Sequence, residues 1–170
     1  MYQLQLLTQE DEKKLFEFEK ENRVYFEQMV PERGHDYYDY AIFQKRHAAL
    51  LAEQEQQQSY FFLIKDEYGQ IIGRMNVTDI GEQTKSGEVG YRIGERFVGR
   101  GLASFALKLL IAKAPSFNLK QLTAKTTSNN VASQKILEKN NFNREADGKE
   151  SFLFKGEIVH FVYYRWKEKS

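Results

Sequence analysis

The stretch Arg96-Phe97-Val98-Gly99-Arg100-Gly101-Leu102-Ala103 decides how this chain is read. It follows an alternating run from Glu88 to Ile93 and opens a helical pattern at Leu102, Ala106, Leu109 and Leu110. A strand that passes through small residues into a helix builds an anion site, because the first helical turn carries free N–H groups and the positive end of the dipole. Gly99 and Gly101 permit tight turning and let the backbone approach a ligand with no Cβ in the way. Arg96 and Arg100 add charge that can fork onto phosphate oxygens. The expected ligand is a phosphorylated cofactor, although a tight turn with surface arginines gives the same loop. The Gly-Lys-Ser/Thr ending of a nucleoside-triphosphate loop is missing. The loop also comes late, after a first strand and a later run of three, whereas a dinucleotide-binding chain carries its loop after the first.

Working outward, periodicity and turn signals give the order of elements. Tyr2 to Leu7 alternates as a first strand, and Thr8 with Asp11 opens a helix that runs to about Asn22. Glu21 to Tyr40, with Pro31, Gly34 and the Tyr37-Tyr38-Asp39-Tyr40 cluster, reads as a long connection with room for helical turns. A helix follows over Tyr40 to Gln57. Tyr60 to Lys65 and Gln70 to Val77 flank Asp66-Glu67-Tyr68-Gly69 as a hairpin, and Ser86 to Ile93 is the strand before the glycine loop. Gly101 to Lys113 is a helix, Leu119 to Thr126 a strand and Asn130 to Asn140 a helix. Phe142 to Phe154 and Ile158 to Trp166 close the order as two strands. Hairpins followed by a crossover predict one α/β domain over residues 1–170, with a mixed, mostly antiparallel sheet of six to seven strands and about four helices.

Bulk properties narrow the class. At 170 residues the chain can bury one substantial core, and 41% hydrophobic residues are too many for disorder. A net charge of +1 argues against nucleic-acid binding through a broad basic surface. With no cysteine there is no disulfide framework, thiolate metal site or thiol nucleophile. His35, His47 and His160 have no ligand spacing, so no metal is expected. No apolar run is long enough to span a bilayer, and Met1 to Leu7 lacks the basic start of a signal peptide. The expectation is a cytoplasmic protein that binds neither membrane nor nucleic acid.

A second constellation lies after the strand Leu119 to Thr126. Asn130 and Ser133 sit three apart at a helix start, on one face. One reading makes Asn129 or Asn130 an N-cap with Ser133 merely in the first turn. The other turns the hydroxyl and amide into the cleft between two parallel strands.

Together, Arg96-x-x-Gly99-x-Gly101 and Asn130-x-x-Ser133 running to Asn141-Phe142 resemble the Gcn5-related N-acetyltransferase (GNAT) superfamily over about Gly73 to Phe142. Within it the chain looks most like the ribosomal-protein alanine/serine N-acetyltransferases, through Gly87-Glu88-Val89-Gly90-Tyr91, Asn130-x-x-Ser133 and Gly156-x-x-x-His160. The resemblance implies a sheet whose central parallel pair splays apart, with acetyl-CoA as co-substrate. It implies Glu88 as base and Ser133 as acid. The amides from Val98, Gly99 and Arg100 through Gly101, Leu102 and Ala103 would hold the pyrophosphate. The edge at Tyr91 and Ile93 would meet the pantetheine, with Arg96, Asn130 and Ser133 beside the cofactor. The acceptor would be a protein N-terminus or a small-molecule amine, and the resemblance leaves room for a homodimer. Three positions depart from the pattern. Arg92 stands where an aromatic residue often follows Gly-Tyr. Leu137 stands where many members have a tyrosine acid. Asn141 replaces a glycine, and Asn tolerates the left-handed conformation of helix ends. A second reading is a non-catalytic acyl-CoA-binding sensor, which would keep the loop without needing Glu88 and Ser133. Tyr37 to Tyr40 reads either as an acceptor wall or as packing. Lys135 and Lys139 read either as ribose-phosphate contacts or as a solvated helix face.

Overall fold

Seven strands form one sheet in the computed structural model, which describes residues 1–29 and 38–169. They are β1 (Gln3–Leu6), β2 (Tyr60–Lys65), β3 (Ile71–Gly81), β4 (Ser86–Ile93), β5 (Gln121–Thr127), β6 (Asn143–Phe154) and β7 (Glu157–Lys167). Their spatial order is β1-β2-β3-β4-β5-β7-β6, and every adjacent pair is antiparallel except β4–β5. Among the described residues there are five α-helices: α1 (Glu12–Glu21), α2 (Arg23–Glu27), α3 (Tyr40–Glu55), α4 (Leu102–Lys113) and α5 (Val131–Lys139). This is the mixed sheet expected, with one helix more. The addition, α2, falls in the stretch read as a connection. Asn22 closes α1 by donating Nδ2 to the Phe18 carbonyl at 2.9 Å, and the chain re-enters a helix to bury Phe26 against Phe18. Pro31, Gly34, His35 and Tyr37 lie outside the described residues.

Each face of the sheet has its own core. On one, Ile72, Met75, Val77, Val89 and Leu122 pack under Leu102, Ala106 and Leu110 of α4 and Leu137 of α5. On the other, Phe61 and Leu63 of β2 meet Leu15, Phe16 and Phe18 of α1, Phe26 of α2 and Phe43 of α3. Covered on both sides, β2 is apolar without alternation, as a central strand should be. Across the sheet the second core reaches no further than Ile71 of β3. Beyond it, Lys125, Phe161 and Tyr163 lie on a part of that face where Tyr163 stays 39% exposed.

One buried ionic cluster joins the layers. Glu19 of α1, fully buried, accepts Arg74 Nη1 of β3 at 2.5 Å and Arg92 Nη2 of β4 at 3.4 Å, and the Arg92 guanidinium lies over the Phe26 ring. Removing one member of such a cluster takes from desolvated charges the partner that offsets their burial. Glu19→Ala is therefore expected to destabilise the fold by about 3 kcal/mol, read as a shift of the urea midpoint. A midpoint shift equivalent to a loss of only a few tenths of a kcal/mol would show that the cluster is not holding α1 on the sheet.

Candidate active site

The parallel pairing of β4 with β5 is short: Ser86↔Gln121, Gly87↔Leu122 and Glu88↔Thr123. Past Glu88 the two strands part. β4 stays on β3 as far as Gly73↔Ile93, while β5 stays on β7 as far as Thr127↔Phe161. The edge of β4 from Val89 to Ile93 is thus left without β5, and an extended amide-bearing ligand can pair there as an added strand.

The glycine loop stands at the end of that edge. After a 3-10 turn at Glu95–Phe97, Gly99 and Gly101 take φ of +79° and +73°. Gly101 is the N-cap of α4, and no side chain caps this helix. Its first-turn N–H groups are therefore available to an anion. A Cβ at Gly99 or Gly101 would meet nothing within 4 Å, so the backbone conformation demands glycine here and the space in front is open. Leu102 and Ala103 bury their side chains and offer only their amides. Arg100 lies over the Phe97 ring. Arg96 is turned toward α1, where its Nε meets Glu21 at 3.2 Å with both side chains more than half exposed. Such a pair is worth about 0–1 kcal/mol, little enough for a phosphate to displace. Val98 is half exposed and Ile93 packs against the α4-side core.

Alternation along β4 distributes the chemistry. Val89 and Tyr91 face α4 and α5, whereas Arg92 faces α1 and α2, which puts Glu88 with Arg92 on the opposite face. The Tyr91 hydroxyl lies 3.1 Å from Ser133 Oγ on α5. Burial pushes the Tyr91 phenol above its ordinary value, while the Ser133 hydrogen bond pulls the other way. At neutral pH the phenol keeps its proton and can donate it. Asn130 proves to be the cap, its side chain accepting the Ser133 N–H at 3.1 Å. The two readings of Asn130-x-x-Ser133 thus divide: the amide is structural and the hydroxyl reaches the cleft. Ser133→Ala and Tyr91→Phe are each expected to lower kcat about tenfold with coenzyme A affinity little changed, and the two losses should not add, because the hydroxyls form one unit. Additive losses in the double variant would separate them.

Glu88 does not sit beside Ser133. It borders a groove of about 390 Å³ on the other face, lined by Thr123, Lys125, Glu145, Tyr163 and Arg165. Lys125 Nζ is 4.0 Å from Glu88 Oε1 and also lies over the Phe161 ring. These groove residues were not singled out from sequence. The alternation of Gln121–Thr127 contains Thr123 and Lys125, but only the parallel register brings them to Glu88.

Other candidates have structural roles. His47 is buried with Nε2 2.9 Å from the Thr8 carbonyl, and His160 Nε2 is 3.0 Å from Asp147. No group of three His, Cys, Asp or Glu able to hold a metal occurs among the described residues. Tyr40 packs on Phe16 and donates to Glu12, and Tyr38 lies under Arg23. Lys135 and Lys139 are exposed, and Leu137 is buried in the core where a tyrosine acid would stand.

A parallel pair that splays beside an uncapped, glycine-led helix start offers an extended, amide-bearing anion both a strand edge and free helix N–H groups. The chain belongs to the GNAT acetyltransferase domain family, whose model matches residues 3–143. It is 30% identical over 106 residues to the N-acetyltransferase p20 of Bacillus licheniformis, an alignment covering 62% of this chain and 60% of that protein. It is similar in fold to the ribosomal-protein-S5-alanine acetyltransferase of Vibrio fischeri, with a TM-score of 0.88, 21% identity, and coverage of 98% of this chain and 93% of that one. The ribosomal L7/L12 α-N-protein acetyltransferase in complex with coenzyme A matches with a TM-score of 0.82 at 18% identity, covering 98% and 94%. No helix among the described residues is long and apolar enough to cross a membrane.

Proposed function

We propose that this protein is an acetyl-CoA-dependent N-acetyltransferase in which a primary amine attacks the thioester directly. The observation that carries the reading is the division of groups across the splayed strands: Glu88 on one face, the Tyr91–Ser133 pair on the other, and an unpaired strand edge between. The cofactor's pyrophosphate meets the first-turn amides of α4, and its pantetheine lies along Val89 to Ile93. The acceptor enters from the groove beside Glu88. Glu88, directly or through one water, takes a proton from the ammonium. The nitrogen lone pair forms the C–N bond, and a β4 amide polarises the carbonyl oxygen. The C–S bond then breaks with its electron pair going to sulfur. The nitrogen sheds its second proton to water as the amide forms, while Ser133, backed by Tyr91, gives its own proton to the thiolate and regains one from water. The thiolate needs little help because a thiol has a pKa of ~8.5.

The acceptor is either the α-amine of a protein, as the names of the structural neighbours suggest, or a small amine. Ribosomal-protein acceptors, as named for those neighbours, support a cytoplasmic enzyme. A sensor would leave the Glu88 groove and the Tyr91–Ser133 contact without a task. Thiol release from acetyl-CoA, measured against Ala- and Ser-initiated peptides and small polyamines, tests the reading. Amine-dependent release is expected. Tight coenzyme A binding with silence across the panel would favour the sensor.

A further inference from the structure

On the face that carries Glu88, β3 and β4 form three cross-strand rows: Thr78↔Glu88, Asn76↔Gly90 and Arg74↔Arg92. The Arg74–Arg92 row is covered by Glu19 of α1. In the Thr78–Glu88 row it is Glu88 that lines the groove. The middle row sets Asn76 against a glycine. Gly90 is exposed, and a Cβ built there would meet nothing within 4 Å, so an open niche lies beside Asn76. Asn76 Oδ1 is buried and has no hydrogen-bond partner among the described residues. A buried carboxamide oxygen left bare is costly, so its persistence calls for an explanation, and a donor brought by a ligand is one.

We infer that Asn76 positions the acceptor, its Oδ1 taking a hydrogen bond from the attacking amine. The inference rests on the transferase reading above and adds a residue to it. Diagonal neighbours across antiparallel strands are ~7–8 Å apart, so a turn of the Asn76 carboxamide into the open space over Gly90 lets one amino group touch both it and Glu88. The ammonium gives one proton to Glu88 and keeps two N–H bonds. Donating one of these to Asn76 turns the lone pair toward the splayed strands, where the thioester lies. An alcohol that gave its only proton to Glu88 would have none left for Asn76. The pair therefore selects primary amines over hydroxyl acceptors. The glycine at 90 leaves the space the amine occupies.

The test compares Asn76→Leu and Asn76→Asp with the unaltered chain, using an Ala-initiated peptide, a Ser-initiated peptide and a polyamine as acceptors. Asn76→Leu, similar in size but without the oxygen, is expected to raise the acceptor KM about tenfold, the scale of one lost hydrogen bond. The acetyl-CoA KM and the melting temperature should hold. Asn76→Asp keeps an oxygen in place and should recover the acceptor KM even if the pH profile moves. An unchanged acceptor KM in Asn76→Leu overturns the assignment. So does a parallel rise in the acetyl-CoA KM, or a failure of Asn76→Asp to recover the acceptor KM. If Asn76→Leu does not fold, Asn76→Ala, which also removes the oxygen, takes its place with the same expected rise in acceptor KM. Silence of the unaltered chain with every acceptor overturns the transferase reading itself, and the assignment with it.

Discussion

Gly101→Glu is expected to lower coenzyme A affinity by at least about 100-fold, equivalent to ~2.7 kcal/mol, while leaving the protein folded. The substitution does two things to the protein alone. It forces a side chain into a left-handed position, φ +73°, at a cost of ~1–2 kcal/mol. It also sets a carboxylate against the uncapped start of α4, where a negative charge contributes ~0.3–1 kcal/mol in return. The second offsets part of the first and leaves a net cost on the order of 1 kcal/mol, so the melting temperature should fall only modestly. The ligand fares worse. The amides that would meet its pyrophosphate now face a covalently attached anion, and the phosphates are repelled by the same charge. Gly101→Asn isolates the conformational part, because Asn tolerates the left-handed region and is neutral. Its affinity should fall less than about tenfold, on the order of the strain alone. Calorimetry with coenzyme A separates the two variants. Binding by Gly101→Glu within a few-fold of the unaltered chain would remove the loop from the cofactor site.

Features that live in one segment were legible in the sequence. The strand Ser86–Ile93 and the helix ending at Lys113 emerge at the residues expected, since period and the flanking Pro115 specify them locally. Asn141 adopts φ +67°, as its replacement of a helix-ending glycine requires. Ends set by tertiary bonds were less legible. β5 begins at Gln121 because the Leu119 N–H is spent on the Ala114 carbonyl, closing the turn after α4. β3 runs past Val77 to Gly81 by an irregularity between Thr78 and Gly81, with Asp79 at φ +53°.

The site shows the same division. The loop glycines, Glu88 and Ser133 are visible because each sits in a short pattern. The contact of Tyr91 with Ser133 joins residues 42 apart, and the separation of Glu88 from Ser133 by the thickness of the sheet depends on which helices cover which face. The parting of β4 from β5 after Glu88 depends on pairing register, which no local pattern encodes. Asn76 is invisible from sequence for that reason: only its pairing with Gly90 sets the bare, buried oxygen beside an open position.

The faces of the sheet give the second large effect its form. Glu88→Gln is expected to lower kcat/KM on the order of 10²-fold or more near pH 6.5, the contribution typical of a positioned base. The loss should shrink as pH rises. An α-amine has a pKa of about 7.7–8.0, so below that range nearly all acceptor in solution is protonated. The unaltered enzyme can bind the ammonium and pass its proton to Glu88. The Gln variant must wait for the neutral fraction, which grows tenfold per pH unit until the amine's own pKa is reached. Its log kcat/KM should therefore climb with a slope near one over that range, closing on the unaltered enzyme from below. Coenzyme A affinity should not change, because Glu88 faces the groove and not the α4 side. Lys125→Ala is the contrasting case. Lys125 and Glu88 are 4.0 Å apart with side chains 47% and 37% exposed, and such a pair is worth at most ~1 kcal/mol. Its loss should be a few-fold and the same at every pH. A deficit in Glu88→Gln that is equally flat with pH would assign Glu88 to the wall of the groove, and the amine would then have to reach the thioester already neutral.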